Sequence, residues 1–211
     1  MSGSEKQNRY EMTNEYWRNI FLQMDHNELA ERFGLRSDEN ALYIRFCCRD
    51  YRIDKASGHI SDVNSPERKL SFNVLMSIYN LFYYSKAGAA VRGEFVPFRE
   101  VKRASPFAPA FEKSLDFGLT KPFSGKAELL KKAGERLEGE PVNYGDVGFV
   151  VRAFEFMPVM VVFWDEDDEF PAQANMLFDE NITDYIHEET VCCIAGEIME
   201  RLAEEAELYS K

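Results

Sequence analysis

VGFVVRAFEFMPVMVVFW, Val147 to Trp164, holds two runs dense in valine and phenylalanine with little more than Met157-Pro158 between them. Branched and aromatic side chains at this density favour extended backbone. Because the apolar stretches are nearly continuous, both runs read as strands in the middle of a sheet with both faces covered. MLF, Met176 to Phe178, follows as a third, short strand.

Towards the N-terminus the pattern changes period. KAELLKKAGERL, Lys126 to Leu137, has the spacing of a modest amphipathic helix that ends near Gly139. GEFVPFREVKRASPFAPAFEKS, Gly93 to Ser114, combines a short extended piece and proline-bounded turns, leading to a helix around Ala110 to Phe117. SPERKLSFNVLMSIYNLFYYS, Ser65 to Ser85, reads as the central helix, with Pro66 suited to its first turn and apolar stripes on two sides. ALYIRFCC (Ala41 to Cys48), YRID (Tyr51 to Asp54) and HISDV form a small antiparallel meander, with Arg49-Asp50 and KASG as its links. Residues Thr13 to Phe33 are helical with a restart at Asp25, an N-cap with Glu28 three residues on, and a C-cap at Gly34. The polar first dozen residues are expected to be a disordered leader and lack the apolar segment of a signal peptide. At the other end a helix from Glu188 to Tyr209 turns Val191, Ile194, Ile198 and Leu202 inward and leaves Glu197, Glu200, Glu204, Glu205 and Glu207 mostly solvated. Helices and antiparallel strands segregate along the chain, so the expected class is α+β: residues 13–211 as one domain, a mainly antiparallel sheet packed against helices, with a long acidic C-terminal helix.

The longest unbroken apolar run, Phe156 to Trp164, is far short of the ~20 residues of a membrane helix, and the expected location is the cytoplasm. From Glu155 to Lys211 sixteen acids face two bases, whereas the rest of the chain is slightly basic. Such asymmetry is balanced within one fold or across a homodimer. An overall charge of −12 argues against nucleic acid, whose binding rests on many basic groups. The four cysteines form two adjacent pairs, Cys47-Cys48 and Cys192-Cys193, a spacing that suits neither a zinc site nor a redox motif, so they read as free thiols.

No nucleophile elbow, phosphate-binding glycine loop, paired-histidine metal motif or dinucleotide fingerprint occurs. What remains is the acidic run after the second long strand, Asp165, Glu166, Asp167, Asp168 and Glu169, bracketed by Trp164 and Phe170-Pro171. Carboxylates there suit a divalent cation, but the glycine and distal glutamate of a calcium loop are missing, and a solvated turn is the simpler reading.

The segment FWDEDDEFPAQANMLFDENITDYIHEE resembles the closing signature of an uncharacterised domain family of anaerobic bacteria and archaea. The matching residues are Pro158, Trp164, Asp168, Glu169, Phe170, Pro171, Leu177, Phe178, Asp179, Tyr185 and Glu188-Glu189. GEFVPFRE, with Phe98 and Arg99, resembles its middle motif, and the resemblance runs from about Asn19 through Leu202. Some relatives carry the domain behind a four-cysteine iron–sulfur module similar to that of corrinoid iron–sulfur proteins, which implies an accessory place in anaerobic one-carbon or redox metabolism. This chain lacks the module's cysteine spacing. It also has Lys102-Arg103-Ala104-Ser105 where the family turns on a glycine, and His187 at a proline position.

From residues and resemblance together we expect a ligand-binding or accessory protein whose functional face comprises Trp164, Asp165, Asp168, Glu169, Phe170, Pro171, Asp179, Phe98 and Arg99. Its partner would be an unknown small molecule or protein. No cofactor is required; a corrinoid or divalent cation enters only by association. The rival expectations are an enzyme using the acidic loop for a divalent cation or for acid–base chemistry, and a structural or dimerisation module.

Overall fold

The computed structural model describes residues 3–209, and side chains from 8 to 207. In chain order it comprises α1 (Gly3–Phe21), α2 (His26–Phe33), β1 (Arg36–Ser37), β2 (Ala41–Phe46), β3 (Arg49–Asp54), β4 (Ile60–Asp62) and α3 (Phe72–Tyr84). There follow β5 (Phe95–Pro97), α4 (Ala108–Leu115), α5 (Lys121–Phe123), α6 (Ala127–Arg136), β6 (Glu140–Pro141), β7 (Val147–Phe154), β8 (Met157–Trp164), β9 (Gln173–Asp179) and α7 (Glu188–Tyr209). The class is α+β, as expected, but with two antiparallel sheets, ordered β1-β2-β3-β4 and β5-β9-β8-β7-β6. Part of the expected leader belongs to α1, which starts at Gly3; residues 1–2 lie outside the described residues.

Local chemistry sets most boundaries. Asp25 caps α2 by accepting from the amides of Asn27 and Glu28, and Gly34 closes it in the left-handed conformation at φ +63°. Helix α3 begins later than Pro66, because the Ser71 hydroxyl accepts from the Val74 amide and supplies the cap. The long strands lie where the valine runs place them, with β8 flanked by β7 and β9, but Met157-Pro158 belongs to β8 and the turn is Glu155-Phe156. MLF lies within a longer strand, since β9 starts at Gln173.

In the meander Arg49 and Asp50 are strand residues paired with Phe46 and Arg45. The two-residue turn is Cys47-Cys48, with φ +45° and +60°. A tight hairpin needs positive φ at both central positions to match strand twist, and residues other than glycine adopt it at a cost of about 1–2 kcal/mol each. The turn is held from outside its own sheet. A register shift between Arg152 and Phe154 interrupts the β7–β8 ladder, and there the Cys47 amide donates to the Ala153 carbonyl at 2.8 Å. Phe46 stacks on Phe154 with centroids 4.7 Å apart. All four thiols are free, and burial pushes Cys193 up to about 12 and Cys192 to about 11.

Helix α7 packs against α3 and α6, and its Val191, Ile194, Ile198 and Leu202 are completely buried. Glu197 departs from the expected solvated face, being only 4% exposed.

At the far end of the meander, the Ser57 hydroxyl and amide and then Arg52 hold the Asp54 carboxyl down to about 2. A depressed folded pKa gives stability that is present above the unfolded value near 3.9 and lost as pH falls towards 2. Asp54→Asn should therefore flatten the acid limb of stability between pH 4 and 2, read by urea denaturation at stepped pH; an unchanged acid limb would refute this role.

Candidate functional site

The sequence-predicted residues do not form one site. Asp165 organises the start of α6: its carboxylate accepts from the amides of Gly125 at 2.7 Å and Ala127 at 3.2 Å. Glu166 accepts from the Ser124 hydroxyl. Asp167 folds the loop onto itself by accepting from the Glu169 and Phe170 amides, which lowers its pKa. Asp168, Glu169, Phe170 and Pro171 are exposed, and Trp164 packs edge-on against Tyr144. Asp179 is fully buried and accepts from the amides of Arg92, Gly93 and Asn181, fixing the turn before β5. Phe98 is a core residue packed on Phe111 and Phe178, while Arg99 is exposed and pairs with Glu112. Phe98 and Arg99 do meet the residues just after the acidic loop, Ala172 to Asn175, around a groove of about 580 Å³. Among the described residues no group of three or more His, Cys, Asp or Glu side chains could hold a metal ion.

A different cluster combines burial, charge and a cavity. Glu197 and Arg201 lie one turn apart on α7, each 4% exposed. Arg201 Nε donates to Glu197 Oε1 at 2.7 Å, and Arg201 Nη2 donates to the hydroxyl of Tyr51 on β3. Ser71 Oγ, the cap of α3, donates to Glu197 Oε2 at 2.8 Å. Burial pushes the Glu197 carboxyl up to about 7, opposed by the Ser71 hydroxyl and Arg49 and helped by the charges of Glu200 and Glu204.

These four residues line a cleft of about 550 Å³. Arg49, Arg68, Lys69, Glu200 and Glu204 line it too, with both arginines directed to one oxygen of Glu204, at 2.6 and 3.9 Å. Two cationic groups keep donors to spare. Arg201 Nη1 is buried without a hydrogen-bond partner, and exposed Lys69 has no ionic partner among the described residues. Buried donors are almost always paired, and a guanidinium nitrogen beside a cleft is placed to donate to a molecule bound there.

Sequence reasoning missed this cluster because Glu197 sits among solvated glutamates and Arg201 flanks the apolar stripe. The available signal was the acid–base spacing of four on α7 with the Arg on the stripe's border. Tyr51 and Ser71 carry no local mark at all.

Two mutational outcomes follow. Asp165→Ala should cost about 1 kcal/mol through loss of the α6 start, whereas Asp168→Asn with Glu169→Gln should leave the denaturation midpoint unchanged; equal effects would contradict the capping role. Arg201→Met strands the buried carboxylate and should cost about 3 kcal/mol at pH 8. The loss should be smaller at pH 5, because a carboxyl whose folded pKa is raised contributes stability fully below its ordinary value and loses it as pH rises. Exchanging the pair together, Glu197→Leu with Arg201→Met, should restore most of it; chemical denaturation of the three variants at both pH values checks this.

Comparison with known proteins bears on the chain as a whole. The model of a domain of unknown function (DUF3786) matches residues 25–201, so the chain belongs to that family. No curated protein and no solved structure matches it.

Proposed function

We propose that this member of the family is a ligand-binding protein of the cytoplasm, and that its ligand is a small acid, a carboxylate or phosphate ester, taken up in the cleft over Arg201. The observation that carries this reading is the unpaired Nη1 of a buried guanidinium lining a cleft that also holds an uncommitted Lys69. A guanidinium offers planar, paired donors suited to an anionic oxygen pair, and burial strengthens each such bond. Glu200 and Glu204 in the same lining limit the total negative charge the cleft accepts, which favours a ligand of low charge over a polyanion.

An accessory place in anaerobic one-carbon or redox metabolism, the expectation that comes with the resemblance, is compatible with a domain that binds a small acid. The acidic loop, with Asp168, Glu169, Phe170 and Pro171 exposed, is then the surface offered to a partner protein, and a corrinoid or a divalent cation would belong to that partner.

A second reading rests on Glu197. A carboxyl near 7 is poised to give and take protons at neutral pH, as acid–base catalysis requires. In that case Glu197→Gln would keep ligand affinity and abolish turnover.

The test is a thermal-shift and calorimetric titration with phosphate, acetate, malate and citrate. At least one should raise the melting temperature in a saturable way. Lys69→Ala, at an exposed position, should weaken that ligand about tenfold, near 1.4 kcal/mol, with the melting temperature of the free protein unchanged. Absence of a saturable shift with all four, or indifference to Lys69→Ala, would overturn the assignment.

A further inference from the structure

A second cavity, of about 460 Å³, lies on the same side of α3 and α7 and shares Phe72 with the first. Its walls differ in chemistry. Trp17, Phe72, Tyr84 and His187 contribute four flat rings, and Met76 and Cys193 contribute sulfur. Tyr84 stands against Trp17 with centroids 5.8 Å apart and against His187 at 5.0 Å. Among the described residues neither lysine nor arginine is in the lining, and Glu189 is. An anion is therefore excluded here on electrostatic grounds, in contrast to the first cleft.

Asn80 also lines this cavity. Its side chain is buried, at 5% exposure. Its Oδ1 accepts from the Thr190 hydroxyl at 2.7 Å, which fixes the amide and leaves Nδ2 buried without an acceptor. Nearby, Asn14 Oδ1, on α1 over the first cleft, is a second buried amide atom without a partner. Among the described residues five buried side-chain polar atoms lack hydrogen-bond partners. Three of them, on Asn14, Asn80 and Arg201, belong to residues lining these two cavities. A buried donor or acceptor left without a partner costs free energy, and a bound ligand removes that cost.

The histidine is held in the wall at both ring nitrogens, with Nε2 3.7 Å from Glu188 Oε1. His187 Nδ1 accepts from the Glu189 amide at 3.2 Å, so in the neutral ring the proton resides on Nε2. The cavity thus combines aromatic walls, an amide donor and a carboxylate. We infer that it binds a flat heteroaromatic ring, neutral or cationic, that presents a carbonyl or ring-nitrogen acceptor to Asn80 Nδ2, as a nucleobase or a pyridine carboxamide does. Aromatic faces favour such rings by stacking, and a cationic ring gains further from the faces and from Glu189. The two cavities adjoin, sharing Phe72, with Cys193 and Glu197 four residues apart on α7, about 6 Å at the helical rise; the chemistry of their linings sets them apart, and the ring-binding assignment does not rest on the acid-binding one.

Trp17 sits in the wall, so the site reports on itself. In the 211-residue chain carrying Trp164→Phe, which leaves Trp17 as its sole tryptophan, fluorescence is titrated with nicotinamide, 1-methylnicotinamide and guanosine, and with benzoate as an anionic ring of similar size. At least one of the first three should quench Trp17 saturably, and benzoate should not. Asn80→Leu should weaken the quenching ligand at least tenfold. Tyr84→Leu, a half-buried wall position, should do the same and guards against a folding defect in the first variant. Citrate or phosphate added at the concentration that saturates the other cleft should leave the titration unchanged, so failure here is separable from failure of the acid-binding reading. Linear quenching by all the rings, or affinity unaltered in both variants, would overturn the proposal.

Discussion

A buried guanidinium sets the terms for the centre of this protein. Placing Arg201 in the interior is costly unless its charge and donors are met, and the chain meets them from three directions: Glu197 on the same helix, Tyr51 on β3, and through Glu197 the serine that caps α3. One side chain thereby specifies how α7 lies against the small sheet and the central helix. Hydrophobic packing alone would tolerate small slides of α7, because apolar contacts have little directionality. The hydrogen bonds do not. Among the described residues the remaining guanidinium nitrogen, Nη1, has no partner, and Arg201 lines a cavity. Structure and binding are in this sense one network.

The acidic run after β8 carries the opposite lesson. Its composition suggests a cation, yet the backbone claims its carboxylates first: Asp165 for the start of α6 and Asp167 for its own loop, while Asp179 closes the turn before β5. A carboxylate that accepts amide protons remains charged without a metal, and the local electrostatic demand is satisfied. Such residues are as specific in sequence as ligands are, since removing one would orphan several amides. A dense acidic motif can therefore mark a structural joint.

Much of the architecture was legible, and the reasons differ by element. The α2 boundaries could be read because Asp25 and Gly34 are cap residues with local chemistry, and α7 because its apolar period persists over many turns. The strands β7 and β8 could be located by valine content, but not their turn, since Met157 and Pro158 pair with Phe154 and Arg152 across the ladder in a way no local rule predicts. The hairpin at Cys47-Cys48 was misplaced because cysteine is a poor turn former, and its positive φ values are sustained by a carbonyl far away in sequence. The cluster around Arg201 was illegible for the same reason: its members come from residues 51, 71, 197 and 201, and only the folded chain unites them.

That distant support for the cysteine turn has a consequence for how the molecule forms. A hairpin built on an Asn-Gly turn can close early and alone; this one pays for its backbone with an acceptor supplied by β7, roughly a hundred residues later. The meander is thus no independent seed. Its turn becomes favourable only once the bulged hairpin of the larger sheet is in place, so the two sheets should assemble in one cooperative step, late and governed by non-local contacts. During synthesis the N-terminal half must wait for the C-terminal half to emerge.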